Sequence, residues 1–172
     1  MPDLTHLTLT PTRGRTILAT TEGIEQQAAV GLMFAAGLHG REVVAIHLHH
    51  DYDPHTGVLR VRGGRGSTPR TIRLAAMCRT ALDTVLDAGP LHRWGPWSGT
   101  VTTRSGALVA ALHRAGLAGD IHAPRHLALR LAWEAGRDPL RIARYFGVDG
   151  AVPPRGEVCD HGIPAALQQA LS

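Results

Sequence analysis

A chain of 172 residues that is 44% hydrophobic is long enough to bury one substantial core and too short for two large independent domains. Its formal charge of +4 and isoelectric point near 10.0 point toward a polyanionic partner, nucleic acid first. With no N-terminal apolar stretch and no apolar run of about 18 residues, secretion and membrane spanning both lack support. All 18 basic side chains are arginine, a bias that suits bidentate phosphate contacts and that a GC-rich genome would equally produce. Cys78 and Cys159 form no C-x-x-C and no paired framework, so a reducing cytoplasm is the expected location.

In chain order, Thr10-Pro11 reads as a helix cap followed by proline at the first helical position, opening a helix to about Leu18. Ala28, Ala29, Leu32, Met33 and Ala36 recur at spacings of three and four, predicting a buried helix from Glu25 to Ala36 that Gly37 ends. Arg41 to Ile46 reads as a short helix, and Asp51 to Gly57 is dense in turn formers. Val58 to Arg62 and Arg70 to Leu74 alternate apolar with basic residues around a glycine-rich turn, which predicts a β-hairpin with one arginine-rich face. Helices are predicted at Ala75 to Ala88, Ser105 to Ala115, Pro124 to Ala135 and Pro139 to Phe146, with a loop from Gly89 to Gly99. After a Pro/Gly-rich stretch, Ile163 to Leu171 forms a last short helix.

Two boxes carry the chemistry. Gly37-Leu38-His39-Gly40-Arg41-Glu42 lies just after the buried helix, and His122-Ala123-Pro124-Arg125-His126 opens a later one that ends in Glu134-Ala135-Gly136. With the hairpin turn Gly64-Arg65-Gly66 and the strand Arg70-Thr71-Ile72-Arg73-Leu74, they resemble the ordered boxes of the tyrosine recombinase (phage integrase) catalytic domain. That family reads G-L-R-x-x-E, G-K-G, R-x-V-P-L, H-x-L-R-H and E-A-G. The resemblance runs from roughly Thr8 to Gly147. It implies an α+β, mainly helical fold with a small antiparallel hairpin or sheet. Residues 1–147 would form the recombinase-like unit and 148–172 a divergent tail with a short helix, in a single domain without the family's core-binding domain.

The departures from the pattern bear on activity. In the family, a tyrosine attacks a DNA phosphate, two arginines and histidines stabilise the pentavalent state, and a lysine protonates the leaving oxygen. Here the first arginine is His39, the lysine is Arg65, and the final L-G-H reads Phe146-Gly147-Val148. Arginine keeps its proton up to about pH 12, so Arg65 is a poor general acid. The only tyrosines, Tyr52 and Tyr145, precede the place of the nucleophile. The resemblance therefore implies remnant catalytic positions at His39, Arg65, His122 and Arg125. The expected protein binds double-stranded DNA, does not cleave it, and acts in or regulates recombination or integration. A partner-complemented integrase and a protein-interaction scaffold that has lost DNA are the alternatives.

The expected DNA-binding residues are Arg60, Arg62, Arg65, Arg70 and Arg73 of the hairpin with His122 and Arg125, the last two at a helix N-terminus where free N–H groups favour an anion. His39 either fills the old arginine cavity or adds a hydrogen bond, and a charge below about pH 6.5. Arg41, two positions on, points about 200° around the helix, toward a different surface. His47, His49, His50 and His55 match no zinc spacing, so neither metal nor cofactor is expected. Cys159 and His161 stand near the missing tyrosine, and a linker role without chemistry is expected for them. Trp133 is expected in the core, whereas Trp94 and Trp97 are open to base stacking. The last helix is expected to reach a neighbouring protomer or an active recombinase partner.

Overall fold

A computed structural model describes residues 9–64, 66–89, 96–117, 120–148 and 150–172. Thr10 opens α1 (Pro11–Thr20), its hydroxyl accepting the Arg13 N–H at 3.2 Å, as the Thr-Pro pair predicts. Helix α2 (Ile24–Ala35) is the axis of the molecule. Residues Ala28 to Ala35 are buried without interruption, which is the pattern of a helix enclosed on every side. Gly37, at φ +61, turns the chain back, and a Cβ there would collide with the Phe146 ring. Only glycine fits both the backbone angle and the approach.

Helix α3 (Gly40–Ala45) and the single turn α4 (Leu48–Asp51) lead into a four-stranded sheet of order β1 (Tyr52–Asp53), β2 (Val58–Val61), β3 (Arg70–Arg73) and β4 (Val158–Cys159). The first three strands are antiparallel, with Leu59 opposite Ile72 and Val61 opposite Arg70, and β4 joins β3 in parallel. The predicted hairpin is β2 and β3. Strands β1 and β4 and the turn α4 go beyond the predicted elements, each being too short to show a period.

Helices α5 (Ala76–Asp87), α6 (Val101–Arg114), α7 (Ala123–Glu134), α8 (Pro139–Phe146) and α9 (Ile163–Leu171) complete the fold. Helix α6 starts four residues before the predicted Ser105 because Thr100 caps it, accepting from the Thr103 N–H at 3.4 Å. Two aromatic residues settle in unexpected ways. Trp97 is buried and donates its indole N–H to the Val43 carbonyl at 2.9 Å, so it is a core residue. Trp133 is 62% exposed, because the inward stripe of α7 is Leu127, Ala128, Leu131 and Ala132 and the next position turns outward. Trp94 lies outside the described residues.

The last helix packs within its own chain. Ile163, Leu167 and Leu171 of α9 are buried against α1, α2, α5 and α7 of the same chain. Its Gln168 side chain accepts the Met77 N–H at 2.8 Å, satisfying a free donor in the first turn of α5. Its apolar face is thus occupied within the chain. Leu167→Ala should therefore lower unfolding free energy by about 2–5 kcal/mol in urea denaturation, as for other fully buried leucines. A decrease of a few tenths would mean that α9 is only loosely attached.

Candidate nucleic-acid interface

The candidate site is assembled on a buried ion pair. Glu42, in the first turn of α3, accepts the His39 backbone N–H at 2.8 Å, closing the helix start. Arg70 of β3 reaches it with Nη1 at 2.7 Å from Oε1 and Nη2 at 3.4 Å from Oε2. The same guanidinium donates to the Tyr145 carbonyl at 2.7 Å and the Thr68 carbonyl at 3.2 Å. Burial alone would raise the Glu42 carboxyl, but Arg70's hydrogen bonds and charge, with the His39 N–H, hold it below its ordinary value. Arg70 therefore leaves the expected DNA-contacting set. The period of two places it on the inward face with Ile72, and its side chain is fully enclosed.

Arg125, on the first turns of α7, plays a similar part. It is 5% exposed and donates to the Gly37 carbonyl at 2.6 Å and the Phe146 carbonyl at 2.7 Å, with its guanidinium carbon 5.8 Å from the Phe146 ring centre. Burial lowers it to about 10, so it stays cationic at neutral pH. It braces the turn after α2 against the end of α8.

The His39 and His122 rings meet edge to face, 5.8 Å apart. His39 is lowered to about 4 by burial first, then by the positive charge of Arg125, with Arg41 and His122 adding to it against Glu42. It is neutral across the physiological range, which corrects the charge expected of it below about pH 6.5. Its Nδ1 is buried without a hydrogen-bond partner among the described residues. His122 is exposed at the start of α7. Arg41, expected on a different surface, is exposed and lies beside the hairpin turn, its Nη2 3.5 Å from where a Cβ on Gly66 would stand. Its charge reaches both His39 and Arg125. The hairpin accounts for the difference: its turn comes close to Arg41, and its Arg70 reaches the neighbouring Glu42.

The other hairpin arginines face outward. Arg60 is exposed; Arg62 is half-exposed and contacts Asp51 at 3.1 Å; Arg73 pairs with Asp160 at 3.1 Å and donates to the Thr56 carbonyl at 2.8 Å. Arg65 lies outside the described residues. Both tyrosines are internal: Tyr52 donates to Asp83 at 2.8 Å, and Tyr145 donates to the Arg73 carbonyl at 3.2 Å. Cys159 is not in a linker but in β4, and burial raises its thiol. His47, His49, His50 and His55 contribute to no group of three converging metal donors among the described residues; Glu157, Cys159 and His161 do form one.

Two stability tests follow from this geometry. Glu42→Gln should cost about 3–5 kcal/mol, because it leaves Arg70 buried without its counter-charge, whereas Glu42→Leu with Arg70→Met should recover much of that stability. Because His39 binds its proton less readily folded than unfolded, stability should be fully present above about pH 6.5 and fall as pH drops toward about 4. His39→Gln should flatten that part of a pH series of urea midpoints.

No protein-family model matches the sequence, and no curated protein matches it. Solved structures do. The integrase from mycobacterium phage Brujita superposes with a TM-score of 0.70 at 21% identity over 96% of this chain and 57% of its own. The XerA recombinase gives a TM-score of 0.63 at 20% identity over 94% of this chain and 62% of its own. This chain thus spans about three fifths of the length of either protein. Mainly helical, with a small sheet beside the paired boxes, it has the fold of a tyrosine recombinase or integrase domain.

Proposed function

We propose that this protein binds double-stranded DNA through the outer face of its hairpin and acts in or alongside DNA recombination or integration without cleaving DNA. The observation that carries the reading is the outward row of Arg60 on β2, Arg62 just beyond its end and Arg73 on the antiparallel β3. Guanidinium groups so placed meet phosphates without reading bases. Arg41, exposed beside the hairpin turn, and His122, exposed at the start of α7 with its ring 5.8 Å from that of His39, extend that surface.

The absence of cleavage rests on the condition of the reacting groups. A tyrosine nucleophile must be reachable and must lose its proton, yet both phenols are enclosed, hydrogen-bonded and raised by burial. His39, at the first arginine position of the resembled motif, supplies no charge at neutral pH. A developing phosphorane would lack one fixed cation, and one such donor is worth on the order of 10² to 10³ in rate in other enzymes.

Fluorescence anisotropy on a labelled duplex across a salt series tests the reading. Wild type should bind with a steep salt dependence, and Arg60→Ala with Arg62→Ala should weaken binding and reduce the slope by about two, near 0.9 for each phosphate no longer neutralised. No binding at low salt would favour a protein-interaction scaffold instead. A covalent adduct or nicked product would favour an active integrase.

A further inference from the structure

We propose that Glu157, Cys159 and His161 form a binding site for a divalent transition metal, zinc foremost, that fastens β4 to the start of α9. Cys159 lies in β4, with Glu157 just before the strand and His161 in the left-handed turn just after it. One donor atom from each lies within 4.8 Å of the other two. The imidazole Nε2 is already 3.0 Å from Glu157 Oε1.

Three features fit a metal better than a chance cluster. The donors are one sulfur, one imidazole nitrogen and one carboxylate oxygen, a set that suits zinc and that calcium and magnesium, which take oxygen ligands, do not favour. His161 is the only non-glycine with positive φ among the described residues, at +51, and this left-handed turn carries the ring back toward Glu157. The second carboxylate oxygen, Oε2, is buried without a hydrogen-bond partner among the described residues.

At bond lengths of about 2.0–2.3 Å, tetrahedral ligands lie roughly 3.3–3.7 Å apart, so closure asks for movement of about 1 Å or less. The Cys159 thiol gives its proton to solvent as the Sγ–metal bond forms, the metal takes the place of the Nε2 to Oε1 contact, and water fills the fourth position. Arg144 Nη1, 3.9 Å from Oε2, opposes the incoming cation, and the thiolate and carboxylate together outweigh it. Because Cys159 pairs with Ile72 of β3 and Gly162 precedes α9, the metal would tie the sheet edge to the last helix.

The test is titration of the chelator-stripped full chain with Co²⁺, read by the thiolate-to-cobalt charge-transfer band and followed by displacement with Zn²⁺. One equivalent should bind. Cys159→Ala should abolish the band, Cys78→Ala should retain it, and His161→Asn, which keeps a residue tolerant of the left-handed backbone, should weaken affinity at least tenfold. Circular dichroism establishes that each variant is folded. A folded wild type without the band, or a band that survives in folded Cys159→Ala, would overturn the assignment.

Discussion

A carboxylate and a guanidinium sealed from water at 2.7 Å set the terms for the rest of the molecule. Desolvating both charges is costly, and the cost is offset only because nearly every donor and acceptor finds a partner. Glu42 satisfies Arg70 and the His39 N–H, while Arg70 also takes the carbonyls of Tyr145 and Thr68. The pair thereby fixes α3, β3 and the end of α8 to one another. Arg125 repeats the device on the other side of Phe146, joining the Gly37 turn to α7. Gly147 completes the junction: its carbonyl accepts the Thr68 N–H at 3.1 Å, and a Cβ on it would strike the Arg70 guanidinium.

This arrangement divides the arginines by task. Two of them act as internal braces, their N–H groups directed at backbone carbonyls, and those of the outer hairpin face remain open to solvent. The division matters for the proposed binding surface, because a guanidinium held by carbonyls in the interior cannot swing out to a phosphate without exposing those carbonyls and, for Arg70, separating the Glu42 charge. The outer arginines are held only at the surface, Arg62 by Asp51 and Arg73 by Asp160 and the Thr56 carbonyl, where water can replace a partner that is given up, and Arg41 joins them by its position beside the hairpin turn.

The helices are legible in the sequence where a cap and a proline coincide, as at Thr10-Pro11 and Asp138-Pro139, where the Asp138 carboxylate accepts the Arg141 N–H at 3.0 Å. The hairpin is legible from its alternation, and the same alternation holds the answer for Arg70. Ile72 and Leu74 point inward, so a residue two positions before Ile72 must do the same. Strand β4 is illegible because two residues have no period and its partner lies more than eighty positions away. The apolar neighbours of Trp133 mislead, since the angle of a residue on the helix decides burial and proximity along the chain does not. A linker role for Cys159 is the natural expectation only while that strand stays unseen, and the left-handed turn that brings His161 to Glu157 leaves no period in the sequence.

The position of α9 bears on how the protein is made. The ribosome delivers this helix after every element that it covers, and until it arrives the apolar faces of α1, α2 and α7 stand open and the first turn of α5 lacks its Gln168 partner. The core therefore closes late, by contacts that span nearly the whole described chain, such as the one from Arg15 to the Ala170 carbonyl at 3.1 Å. During synthesis the nascent chain carries an unfinished apolar surface, the condition under which chaperone capture and aggregation compete with folding.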